Sequence, residues 1–311
     1  GRHLVRETLK AGRWPIAELV LSESLDPAER NECQHLAEAA GVPLRLGPAS
    51  LLEKLAHTRE HQGYLARMYE FPYEPLAWLE QYPSRKEAFL VFLDGMQDPF
   101  NFGALLRSAE IFGVHAVIIP ERNQTGVTSL TARASAGAVN RVPLVRVSAL
   151  EKAAELVRRK GLRLVAASEK AEETIMAADF TRPLVLVIGN EGQGIRPEML
   201  RLCDGQVRIP QFGKLGSLNA AVAAGIIFYE VRRQRMGPGL ATGLGATGKL
   251  PEEGIVTKFP AEGCFFTVTG QDTCFGWKCG QTTEGSGELM GVGPFEVGAS
   301  HRIAEQGVTG Q

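Results

Sequence analysis

Three stretches of the chain set glycines and polar side chains at spacings that suit chemistry on a bound ligand. The first is Asp94-Gly95-Met96-Gln97-Asp98-Pro99-Phe100-Asn101-Phe102-Gly103-Ala104-Leu105-Leu106-Arg107, where an apolar run ends and a helix begins. Asn101 is placed to N-cap that helix, its side chain accepting from free amides of the first turn. Gly103 and Arg107 are four apart and share a helix face. A glycine there lets another backbone or a ligand approach beneath the guanidinium. The second stretch, Val187-Ile188-Gly189-Asn190-Glu191-Gly192-Gln193-Gly194-Ile195, runs an apolar segment into a glycine loop, and Arg196-Pro197-Glu198 then opens a helix. The carboxyl end of a parallel strand is where open α/β sheets bind ligands. The third is Ile209-Pro210, a glycine loop, Ser217-Leu218-Asn219, and a nearly bare run from Ala220 to Gly225. Ser217 is placed to cap the helix that follows. Taken singly, the three equally describe a capped helix with a solvated arginine, a tight turn and a close-packed helix.

These stretches need a scaffold, and the surrounding pattern supplies one. Short apolar runs at 89–93, 116–119, 163–167, 184–189 and 206–209 alternate with helical patterns at 102–112, 129–136, 149–160, 196–202 and 217–235. Continuous apolar strands between helices predict an α/β fold with a parallel sheet covered on both faces. Residues 1–80 read as a separate small α/β unit. Strands are expected at 17–21, 42–46 and 64–69, and helices at 4–9, 27–40 and 49–56, with Gly41 closing the second. Prolines and aromatics at 71–86 suggest a linker. Residues 236–311 hold 17 of the 35 glycines and little periodicity, so a poorly ordered extension is expected there.

Composition narrows the function classes. No apolar run approaches the roughly 20 residues of a membrane helix, and no signal-peptide pattern opens the chain, so a cytoplasmic location with no membrane partner is expected. The chain starts at Gly1-Arg2-His3 without a methionine, which suggests a missing N-terminal piece. The five cysteines fit neither a disulfide framework nor a standard zinc spacing, so no metal is expected. Net charge is −1 overall, but residues 83–235 carry 21 Lys/Arg against 15 Asp/Glu. That excess falls on the segment with the three stretches and permits a phosphate-backbone partner. The Gly-x-x-Gly-x-Gly order at 189–194 is not the dinucleotide fingerprint, which argues against a nicotinamide-dependent oxidoreductase.

Together, Asn101-x-Gly103-x-x-x-Arg107, Gly189-Asn190-Glu191-x-x-Gly194, Ile209-Pro210 and Ser217-Leu218-Asn219 resemble the three motifs of the SPOUT-class tRNA/rRNA 2′-O-ribose methyltransferases, over roughly 85–235. Residues 1–80 resemble the ribosomal-protein-like RNA-binding domain of the rRNA branch, through Gly1-Arg2-His3, Val5, Glu7 and His61-Gln62-Gly63. The resemblance implies a knotted methyltransferase domain over 81–235, its C-terminal stretch threaded into a deep trefoil knot. It also implies a homodimer with each site completed across the interface, and RNA as substrate: rRNA, with tRNA as the other possibility, and a large-subunit guanosine as the target. S-adenosylmethionine is the implied cofactor, held by Gly189, Asn190, Glu191, Gly194, Ile209, Leu218 and Asn219. Arg107, Asn101, Glu191, Ser217 and Asn219 are the implied catalytic set. A guanidinium stays protonated in proteins, so Arg107 is weighted toward binding phosphate or the developing alkoxide, and Glu191 toward organising Asn101. The alternative on the same scaffold is a catalytically silent RNA-binding or ribosome-assembly protein.

Overall fold

In this computed structural model, residues 1–82 and 86–236 are described, together with two short backbone strands at 257–258 and 265–266 that pair antiparallel. The expectation for 236–311 falls, apart from Met236 and those strands, outside the described residues.

Over residues 1–68 the three expected helices and three expected strands are present, with the second strand starting two residues later than expected. Helix α1 (Arg2–Ala11) buries Val5 and Leu9 and ends at Gly12 in the left-handed region. Strand β1 (Ile16–Ser22) follows, then α2 (Pro27–Ala39), whose first amides are capped by Asp26. After them come β2 (Leu44–Gly47), α3 (Ala49–Ala56) and β3 (Tyr64–Met68). The sheet order is β2-β1-β3, with β1 parallel to β2 and antiparallel to β3.

The described part of the expected linker, residues 71–82, is more ordered than its composition suggests. Phe71 is buried in the main core, and α4 (Leu76–Gln81) packs Leu79 beneath the next sheet. Polar contacts add to this docking. Asn140 Nδ2 donates to Thr8 Oγ1 at 3.0 Å, Arg13 donates to the Val142 carbonyl at 2.9 Å, and Arg141 pairs with Glu7 at 2.7 Å. The described residues up to Met236 thus form one compact unit.

The larger sheet is built from β4 (Phe89–Asp94), β5 (Ala116–Pro120), β6 (Leu144–Val147), β7 (Arg163–Ala167), β8 (Leu184–Gly189) and β9 (Gly205–Val207). All its pairings are parallel, in the order β6-β5-β4-β8-β7-β9. Strand β6 was not expected, because Arg146 interrupts its short apolar run. The strand expected at 206–209 is Gly205–Val207. Every residue of β4 is buried, as a strand covered on both faces requires. Phe89, Val91 and Leu93 face the helices α5 (Pro99–Ile111) and α9 (Ala220–Met236), while Leu90 and Phe92 face α4 and α7 (Leu150–Arg159). Two short helices, α6 (Ser129–Ala134) and α8 (Pro197–Leu200), complete the set.

Two expected caps are corrected. Asp98, not Asn101, caps α5, accepting from the Phe100 amide at 2.9 Å with Pro99 at the first helical position. Asn219, not Ser217, caps α9, accepting from the amides of Ala221 and Val222. The close approach at Gly103 comes from α6. An added Cβ would lie 2.5 Å from the Ala134 Cβ and 2.6 Å from the Thr131 carbonyl oxygen.

Gly103→Ala should therefore destabilise the fold by about 1–2 kcal/mol in urea unfolding, overpacking outweighing a helix-propensity gain of ~1 kcal/mol. The Arg141 hydrogen bond holds the Glu7 carboxyl below its ordinary value of 4.5, although burial acts against it. A depressed carboxyl pKa contributes stability above the ordinary value and loses it as pH falls through the folded value. Acid unfolding of Glu7→Gln should accordingly show a shallower stability loss below pH 4.5 than the unaltered chain.

Candidate functional site

Because β4 and β8 lie side by side with Asp94 opposite Gly189, the loops leaving their carboxyl ends start next to one another. The β8 loop turns tightly. Asn190 and Gly194 exchange main-chain hydrogen bonds at 2.9 and 3.0 Å, and Gly194 has a φ of +71°. The Asn190 side chain secures the turn on two sides, accepting from the Gly192 and Gln193 amides and donating to the Gly95 carbonyl at 2.7 Å. The returning limb passes directly over Gly189, where a Cβ would lie 2.3 Å from the Gly194 carbonyl carbon. Only glycine fits that crossing.

A chain of hydrogen bonds ties the three loops together. Asn101 Nδ2 donates to Glu191 Oε1 at 3.1 Å, and Asn219 Nδ2 donates to Asn101 Oδ1 at 2.8 Å. The direction is fixed at both ends, since an ionised carboxylate only accepts and helix amides only donate. Both asparagine amides are thus oriented by their partners. Asn101 can serve here because Asp98 has taken the cap.

The loops enclose a cavity of about 600 Å³ that opens at the carboxyl ends of β7, β8 and β9. Asn101, Gly189, Asn190, Glu191, Gly194, Ile209, Ser217, Leu218 and Asn219 all line it. The structure therefore brings together every expected site residue but one. Arg107 lies outside the lining on the exposed face of α5 and makes no hydrogen bond or ion pair among the described residues. Its guanidinium is not fixed beside the cavity within one chain. The cavity also has a wall that the sequence reading missed, Ser168-Glu169-Lys170 at the end of β7. Nothing in the sequence reveals that β7 neighbours β8, so no local signal could have found it.

The cavity offers both apolar and polar surface to a ligand. Ile188, Ile209, Leu218 and Ile227 give an apolar surface, and the 190–194 turn presents backbone groups. Among the described residues no cluster of His, Cys, Asp or Glu could hold a metal ion. Burial, with Asp204 beside it, pushes the Cys203 thiol up to about 11, so it offers no thiolate nucleophile near neutral pH. No described helix is long and apolar enough to cross a membrane.

Comparisons with known proteins place the chain in a family. The model of the SpoU rRNA Methylase family matches residues 88–229, and the model for RNA 2′-O ribose methyltransferase substrate binding matches residues 1–74. The YacO protein of Bacillus subtilis, named for the TrmH family of tRNA/rRNA methyltransferases, is 34% identical over 237 residues, covering 76% of this chain and 94% of that protein. The 23S rRNA (guanosine-2′-O-)-methyltransferase RlmB of Coxiella burnetii is 35% identical over 240 residues, covering 76% and 96%. The crystal structure of the SpoU methyltransferase AviRb from Streptomyces viridochromogenes, in complex with the cofactor AdoMet, superposes with a TM-score of 0.65 at 29% identity, covering 76% of this chain and 89% of that one.

Two variants test the site as built. Gly189→Ala should lower stability by about 2–3 kcal/mol in urea unfolding, because the crossing limb is backbone and cannot yield cheaply. Asn219→Ala should cost about 1 kcal/mol through the lost cap.

Proposed function

As this chain belongs to the SpoU family of RNA 2′-O-ribose methyltransferases, we propose that it methylates the ribose 2′-hydroxyl of a guanosine in large-subunit rRNA, using S-adenosylmethionine. The observation that carries the reading is the convergence of three sequence-distant loops on one cavity, linked through Glu191, Asn101 and Asn219. The fit is physical: apolar side chains suit an adenine ring, and Asn101, Glu191, Ser217 and Asn219 offer polar side chains to ribose and amino-acid atoms. Gly189, Asn190, Glu191, Gly194, Ile209, Leu218 and Asn219 would hold the donor. When bound, it would supply a methyl group activated by a sulfonium, with the neutral thioether as leaving group.

The protein's task is then to position the hydroxyl in line and to manage its proton. Asn101 stands where its amide is held by Glu191 and Asn219, so that Glu191 organises and does not abstract. Ser217 offers a cavity-lining hydroxyl. Arg107 binds the RNA phosphate or the developing alkoxide, and the proton leaves to a phosphate oxygen or to water. Residues 1–80 act as the RNA-binding domain and 81–235 as the methyltransferase domain, a division supported by the two family models.

Two further features belong to this reading. The first is a homodimer. Phe100, Ala104, Arg107 and Ile111 form an exposed stripe on α5, and Val222, Ile226 and Tyr229 form another on α9, which packs beside it. A second copy covering these stripes would bury them and bring Arg107 into an ordered site. The second is a deep trefoil knot. Between β9 at the sheet edge and Asn219 beside Asn101, the chain must cross the β8 loop, which supports threading.

The decisive measurement is transfer of labelled methyl to total rRNA and tRNA, followed by mapping of the modified ribose. Label on a large-subunit guanosine 2′-oxygen is expected, and label confined to tRNA would refute the rRNA assignment. Arg107→Lys should lose most activity, about 100-fold, because a point charge cannot reproduce a bidentate fork. Near-parental turnover would remove Arg107 from that role.

A further inference from the structure

Asp94 is the last residue of β4, and its side chain is 1% exposed. It does not line the cavity. Among the described residues its carboxylate has only Arg196 as partner, accepting from the Arg196 main-chain amide at 2.8 Å and from Nε at 2.7 Å. Arg196 closes the turn that begins at Gly189, and its outer nitrogen pairs with Glu151 at 2.9 Å. Burial works to lower the Arg196 pKa, but the hydrogen bonds and charges of Asp94 and Glu151 outweigh it and raise the guanidinium above its ordinary value.

A buried carboxylate is a poor choice for stability alone. Desolvation offsets much of the attraction, and a well-packed apolar group often does as well. What the carboxylate supplies here is position. Two donors of one residue, one on the backbone and one on the side chain, meet two oxygens of a group that the sheet holds rigid. This places the end of the turn, and with it the Gly194–Ile195 limb that crosses Gly189 at the cavity wall.

We propose that Asp94 is a positioning residue for the donor pocket: by gripping Arg196, its carboxylate keeps the 190–195 turn closed in the shape that binds the methyl donor. This rests on the reading that the cavity takes S-adenosylmethionine, and the test separates the two. Asp94→Asn presents an NH2 group to a donor, and Arg196→Gln removes the side-chain bond while keeping the backbone one.

The full chain is compared with D94N, R196Q and the double variant. In the absence of donor, hydrogen exchange at the Gly194 and Arg196 amides should quicken by about tenfold or more in D94N, while Val91 and Leu186 stay within about twofold. Calorimetry should show the S-adenosylmethionine Kd raised about tenfold in D94N and about threefold in R196Q, with the KM for RNA within about twofold. The double variant should be no worse than D94N, since both act on one contact. Unchanged exchange, unchanged donor Kd or additive losses would each overturn the proposal. Should D94N fail to fold, R196Q decides, because Arg196 is half exposed and lies in the loop beyond β8; parental exchange and parental Kd in R196Q sink the idea. If the unaltered chain binds no donor while exchange responds as described, the donor reading falls and the clamp stands.

Discussion

A methyl group at position 189 would sit 2.3 Å from the carbonyl carbon of Gly194 and 2.5 Å from the Ile195 nitrogen. The whole site follows from that contact. Backbone must cross backbone at the carboxyl end of a buried strand, and this is possible only where neither crossing residue carries bulk. Once the crossing is made, the turn satisfies the amides of Asn190, Gly192, Gln193 and Gly194 within itself, and residues 189–195 stand as one wall of the cavity. The cavity is thus lined partly by main chain, whose polar groups are held by the fold and lose no rotamer freedom when they meet a ligand. Asn190 completes the arrangement by taking the inward amides of the turn onto its side chain.

The hydrogen-bond chain from Glu191 through Asn101 to Asn219 works by a different logic. Neutral amides carry no desolvation cost comparable to that of a charge, and they have one donor end and one acceptor end. With a carboxylate at one terminus and helix amides at the other, each amide has a single satisfactory orientation. Three loops are thereby registered to one another without any buried ion pair inside the pocket. Among the described residues the buried charge nearby is Asp94, which lies behind the wall and grips Arg196 without lining the cavity.

Much of the scaffold could be read from the sequence because apolar runs in a parallel sheet are long and uninterrupted, as at Leu184–Gly189 and Arg163–Ala167. Helix α4 was hidden by the prolines and aromatics around it, and β6 by Arg146, whose guanidinium instead stacks on Tyr73. The caps were misassigned for an informative reason. Asp98 and Asn101, like Ser217 and Asn219, are all good capping types, and only the tertiary structure shows that Asn101 turns to Glu191 while Asn219 both caps α9 and reaches Asn101. The wall at 168–170 and the Asp94–Arg196 grip depend on strand order and on a separation of 102 residues, neither of which leaves a local trace.

The central pair of the sheet joins β4 to β8, bringing Phe89 beside Leu184 and Asp94 beside Gly189. Contacts so distant along the chain carry a large loop-closure entropy and form slowly. A nascent chain emerging from the ribosome exposes an apolar, unpartnered β4 edge until the segment through Gly189 has been made. The walls of the cavity, drawn from the ends of β7, β8 and β9 and the start of α9, can close only after that pairing and the segment to Ile227 are in place.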